Sequence, residues 1–218
     1  MIQMAIIDKF VNKESTETRR RRRLPEAARD NILDAAERML ISSGPQSLKL
    51  VDVAKSAGVS NATVLHHFGS IDEVQTALMR RMVRDLVATV LAINDQVPDA
   101  FRSSGEAVAA LFDAFEARGA ARLAAWLELT GEARRLTVVR EAVREVMDRR
   151  AAHHPEISRE ALEDFTLAAI VLALGVGLFG PTIGELMDKP LGRARQIAIA
   201  MLLDQLQQAL AQTSLGRG

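Results

Sequence analysis

Apolar residues recur at helical spacing along nearly the whole chain, and no strand-like alternation of useful length interrupts them, so the pattern predicts an all-α fold. Pro25 suits the first turn of a helix that carries Ile32, Ala36, Met39 and Leu40 on one face, and the run "SSGP" ends it. A short helix over residues 48–57 stops at Gly58, and Ser60 opens another that breaks at Gly69-Ser70. Ser70 and Glu73 have capping-box spacing, so a long helix is expected from Ile71 through Val74, Leu78, Met82 and Leu86 to about Ile93. Beyond "NDQVPD" the pattern predicts helices over 104–118, 119–130, 134–152, 158–179 and 191–212. In the third of these Leu136, Val139, Val143, Val146 and Met147 form an inner face, with Arg140, Arg144 and Asp148 outward, and Pro155 ends it after His153-His154.

One stretch, "FTLAAIVLALGVGLFGPTIG" over 165–184, carries no charge and is long enough for a bilayer span. Its flanks are acidic (Asp164, Glu185), no basic or aromatic anchor marks either end, and glycines and Pro181 crowd its second half, so the expectation is a helix buried on all sides rather than a membrane segment. With 218 residues and 48% hydrophobic content the chain can build a substantial core. Cysteine is absent, which excludes disulfides, thiolate metal sites and a cysteine nucleophile. The start "MIQMAIIDKFVNK" has no basic segment before its apolar run and no cleavage pattern after it, so a cytoplasmic protein is expected.

The net charge is zero but unevenly spread: residues 1–70 hold eleven bases against eight acids, leaving +3 at the front and −3 behind. That asymmetry points to a polyanion partner for the front end. Two short helices joined at a glycine turn must cross closely, which calls for a small residue, a left-handed turn and apolar locks; Ala54, Gly58, Val59 and Val64 supply these in order. Phe68, one turn after Val64, should pin the second helix to the core. Asn61, Ala62, Thr63, His66 and His67 are then left for solvent or a major groove.

The residues "VAKSAGVS", "TV" and "HHFGS" with "DE" close behind resemble the DNA-binding domain of the tetracycline-repressor family of bacterial regulators, over about Arg29 to Val74. The resemblance implies a homodimer with a helix-turn-helix domain at the front and a helical domain behind that binds a small ligand and pairs through its last two helices. It divides the chain into a flexible basic arm (1–24), a three-helix reading head (25–70) and a larger ligand-binding and dimerisation domain (71–218). Carried over, Thr63 and His67 match positions that touch the DNA backbone, and Asn61 and Ala62 match positions near bases. With Lys49, Ser60, His66 and the arm residues Arg19, Arg20, Arg21, Arg22 and Arg23 they make up the expected DNA-binding set. The arm lies along the backbone or enters a minor groove, or else it is an ordinary solvated charge run. The sequence departs from the family pattern at Leu65 (commonly Tyr), Ile71 (commonly Lys) and Lys49 (often Ser or Thr), and neither hydrocarbon can donate to phosphate.

For the rear domain, Phe112, Phe115, Leu123, Trp126 and Met147 are the expected walls of an apolar pocket, with Arg122 or Glu128 as polar anchor. Adjacent histidines on a helix diverge by ~100°, so neither His66-His67 nor His153-His154 can clasp one metal, and no metal or other cofactor is expected. No phosphate-binding glycine loop and no placeable nucleophilic triad argue for an enzyme. The expectation is a ligand-responsive repressor that releases a palindromic double-stranded operator when a small hydrophobic or amphipathic effector binds. The alternative is a helical binding protein that keeps the fold and has lost strong DNA binding.

Overall fold

The computed structural model describes residues 26–97, 99–131, 137–155 and 157–215, and among these every regular element is helical. The arm Arg19–Arg23, Pro25 and Leu136 lie outside the described residues. Helix α1 covers residues 26–43 and buries Ile32, Leu33, Ala35, Ala36 and Leu40. A 3-10 turn (Pro45–Ser47) leads to α2 (Leu50–Ala57), which ends at Gly58 in the left-handed region at φ 68°. Helix α3 (Asn61–Phe68) follows, with the Ser60 hydroxyl accepting from the Thr63 amide. Ser70 accepts in the same way from Glu73 at the start of α4 (Ile71–Gln96).

The rear helices are α5 (Ala100–Glu116), α6 (Ala120–Leu129), α7 (Thr137–His153), α8 (Arg159–Leu186) and α9 (Arg193–Leu215). Helix α5 starts four residues before the expected position because Asp99 caps it, its carboxylate accepting from the Arg102 amide at 2.7 Å. Helix α8 runs seven residues past the expected end, straight through Pro181. A proline costs one backbone bond there. Gly180 is buried and a Cβ built on it would lie 3.4 Å from Ala194 of α9, so close packing of the two helices holds the helical course.

Two apolar clusters organise the chain. The first joins Ile32, Leu40, Val53, Val64, Phe68 and the front of α4 to Ala120, Leu123 and Leu127 of α6, so its packing continues past residue 70 into the rear helices. The second gathers Val108, Phe112, Met147, Leu162, Phe165, Ala173 and Leu202. The expectation that α8 is buried on all sides is corrected. It buries Leu162, Phe165, Ala169, Ala173 and Gly180, whereas Leu167 (64%) and Phe179 (59%) stand exposed with Val171 and Ile183. Its own chain covers the face turned to α5, α6, α7 and α9. By length and composition α8 also suffices to cross a membrane.

Candidate functional site

The front face is built on α3. Val64 is wholly buried and Phe68 nearly so, which fixes the helix's roll and leaves Asn61, Ala62 and His66 exposed, with Thr63 and His67 half-buried. Ser60 and Thr63 share a hydroxyl contact at 2.9 Å, and the rings of His66 and His67 meet edge to face at 5.3 Å. Helix α1 holds α3 from behind: Arg29 donates to the His67 carbonyl at 2.7 Å while its guanidinium lies 4.2 Å from the Phe68 ring centroid. Asn31 donates to the Ala57 carbonyl at 2.8 Å, tying α1 to the turn between α2 and α3. Lys49 stands exposed at the N-cap of α2 and offers no side-chain acceptor to the orphan amides, as expected of a lysine there. Leu65 is exposed, and Ile71 is half-buried against the first core.

The head is joined to the rear by ion pairs as well as by hydrocarbon. Arg81 of α4 reaches Asp34 and Glu37 of α1, each at 2.6 Å. Arg118, between α5 and α6, reaches the same Glu37 at 2.8 Å and Asp85 at 2.9 Å. The hydrogen bond from Glu37, foremost, raises the Arg118 pKa above its usual value, so the pairing favours the charged form. Arg122, considered above as a ligand anchor, instead donates to the Ile41 carbonyl at 3.0 Å and belongs to this same junction.

Behind the junction, α4, α5, α6, α7 and α8 line a half-open cavity of about 470 Å³. Its wall is hydrocarbon from Met82, Leu86, Val90, Leu111, Val143, Ile170 and similar residues, and the side chains carrying polar atoms are Arg140, Arg150 and Thr166. Of the six residues expected there, Phe115 lines it. Leu123 sits in the first core and Phe112 and Met147 in the second, while Trp126 is half-buried on α6 outside the lining. Much of the wall comes from α4, whose residues the sequence marks only as part of a long helix.

Arg150 is the buried cavity residue that the pattern did not single out. It falls at inner-face register with Val143, Val146 and Met147, and it is only 4% exposed. Its Nη2 donates to the Ser104 hydroxyl, and its Nη1 has no partner. Burial pushes its pKa below the usual arginine value. Nearby helix ends add polar groups: Ser103 and buried His154 meet at 3.3 Å, and Asp95 pairs with His153 at 3.3 Å. Asn94 is 2% exposed with both side-chain polar atoms unpartnered.

Comparison with known proteins covers the front most strongly. Residues 32–78 match bacterial regulatory proteins of the tetR family. An HTH-type transcriptional regulator of Mycobacterium tuberculosis is 40% identical over 81 residues, which are 37% of this chain and 40% of the relative. The chain thus aligns with about two fifths of that curated relative's length. Among solved structures, a transcriptional regulator from Rhodococcus sp. Rha1 superposes with a TM-score of 0.67 at 23% identity, covering 84% of this chain and 96% of the other. A TetR-family transcriptional regulator from Streptomyces coelicolor gives 0.65 at 18% identity, with 91% and 95% covered. At those identities the likeness speaks for the fold alone, over the 84% and 91% of the chain that the two superpositions cover.

Proposed function

Because residues 32–78 match bacterial regulatory proteins of the tetR family, we propose that the chain is a cytoplasmic, homodimeric, DNA-binding transcriptional regulator of that family that lets go of its operator when a small, largely apolar effector enters the rear cavity. The observation that carries this reading is α4. One unbroken helix of 26 residues starts against the reading helix α3 and supplies a wall of the cavity through Met79, Met82, Val83, Leu86, Val87 and Val90. A molecule that shifts α4 in the rear therefore shifts the head. The exposed row Asn61, Ala62 and His66 on α3 supports base and phosphate contact, with the half-buried Thr63 and His67 beside it. The exposed apolar residues Leu167, Val171, Phe179 and Ile183 on α8, with Ile197 and Met201 on α9, support pairing with a second copy. A two-fold pair would present its two α3 helices to successive major grooves, ~34 Å apart.

The test is a mobility-shift assay with duplex DNA from upstream of the chain's own gene, at low and moderate salt, with and without apolar ligands. Retarded DNA that is released by a ligand is expected. Leu65 and Ile71 favour a second reading, a fold-retaining ligand binder without strong DNA affinity, because neither can donate to phosphate. Absence of a shift even at low salt, together with measurable ligand binding, selects that reading.

A further inference from the structure

Three half-buried arginines have carboxylates: Arg81 has Asp34 at 2.6 Å, Arg118 has Glu37 at 2.8 Å, and Arg195 has Asp113 at 2.6 Å, while half-buried Arg122 has the Ile41 carbonyl at 3.0 Å. Arg150 is more deeply buried than any of them and has none among the described residues; its only polar contact is the Ser104 hydroxyl. A guanidinium keeps its proton in a protein. A buried unpaired charge is costly, so sequences retain one where something else supplies the counter-charge. This one lines a cavity otherwise walled by hydrocarbon.

We infer that Arg150 is the headgroup anchor of the cavity, and that the effector is an amphiphile with one carboxylate, its anion on the Arg150 fork and its apolar tail along α4, α5 and α8. The inference rests on reading the cavity as the effector site. The planar guanidinium with its bare Nη1 matches the two oxygens of a carboxylate. One buried cation is balanced by one negative charge; Arg140, the other cation on the wall, is exposed to solvent. Asn94, buried with its amide unpartnered, lies one turn beyond cavity-lining Val90 and is not itself part of the lining.

Three amphiphiles with the same tail separate the outcomes: dodecanoate, dodecanol and dodecylammonium, titrated calorimetrically against the full-length protein below their micelle-forming concentrations. Wild type should bind dodecanoate ~30-fold or more tightly than dodecanol, and dodecylammonium most weakly. Arg150→Met should bind dodecanol as well as wild type does and bind dodecanoate no better, and its thermal midpoint should not fall, since the change removes a buried charge and keeps the bulk. Arg140→Gln should keep the wild-type preference. Should Arg150→Met fail to fold, the wild-type order and Arg150→Lys, which should retain part of the preference, decide the matter. Equal binding of acid and alcohol by wild type, or a preference that survives in Arg150→Met or disappears in Arg140→Gln, overturns the anchor while leaving the cavity as an apolar effector site. If none of the three binds, the effector reading of the cavity falls with the anchor.

Discussion

Gly175 and Gly177 lie two residues apart on α8 and are small for different reasons. A Cβ at Gly177 would sit 2.8 Å from the Ala121 Cβ and 3.1 Å from the Phe115 carbonyl oxygen, and a backbone oxygen has nowhere to go. At Gly175 a Cβ meets nothing within 4 Å. Gly177→Ala is therefore expected to destabilise the fold by about 1–3 kcal/mol in urea unfolding. Gly175→Ala should leave the isolated chain unharmed or firmer by up to about 1 kcal/mol, so any loss it causes must come from a second copy on that face. In the head the telling residues are Ile71 and Leu65. Ile71 is half-buried, so a lysine there keeps its stem packed and puts its ammonium outside. Ile71→Lys should steepen the slope of log affinity against log salt by about 0.9 per subunit, whereas Leu65→Tyr adds a neutral donor and should tighten binding with little change of slope. Unchanged slopes and affinities in both variants would mean that another surface faces DNA.

At the scale of elements, what could be read from the sequence was whatever leaves a local mark. Ser60 and Ser70 announced the starts of α3 and α4, and Gly58 announced the left-handed turn, because caps and positive φ demand particular residues. Asp99 was a mark overlooked within "NDQVPD", and Pro181 was a mark that packing overrode. The cavity left none. A side chain that lines a void and one that fills a core share the same helical register, so Met82 reads only as a helix position, while Phe112 and Leu123, truly core, read as wall. Arg150 did leave a trace, an arginine at an apolar register, but only the fold shows that nothing pairs with it. The ion-pair junction was equally hidden, since its members are spread from residue 34 to residue 118. Glu37 is its hub, accepting from both Arg81 and Arg118. Glu37→Gln is expected to cost about 1.5–3 kcal/mol of stability, the usual worth of hydrogen bonds to charged groups. It should also blunt the effect of a ligand on DNA affinity, because α1 would be less firmly tied to α4. A variant with full stability and full ligand response would show that the hydrocarbon contacts alone transmit the signal.

For the whole molecule the decisive feature is the uncovered side of α8. Leu167, Val171, Gly175, Phe179 and Ile183 recur every fourth residue, the ridge that packs into the groove of another helix, and Gly175 leaves room for close approach. A lipid bilayer is a poor occupant of that side. The opposite side of α8 is committed to the second core through Leu162, Phe165, Ala169 and Ala173, and inserting the helix would tear that core open. A second copy of the same face asks for no such rearrangement, and Ile197 and Met201 of α9 extend the apolar area beside it. Phe179→Asp puts a charge on the exposed ridge without touching either core. Where two copies meet, the buried unpaired carboxylate would cost several kcal/mol, so the variant should sediment as a folded monomer while wild type sediments as a dimer at micromolar concentration. Ile199 is a poorer place for such a charge because it already packs against its own second core, where failure to dimerise and failure to fold look alike. A monomer offers DNA one reading head instead of two, so Phe179→Asp should also lose most of its affinity for a two-half-site duplex and show about half the wild-type salt slope. Dodecanol binding should persist, since every residue lining the cavity belongs to one chain and Phe179 is not among them. A dimeric Phe179→Asp, or a wild type that is monomeric yet shifts the duplex with its full slope, would place the subunit contact elsewhere and leave the ridge on α8 without a partner.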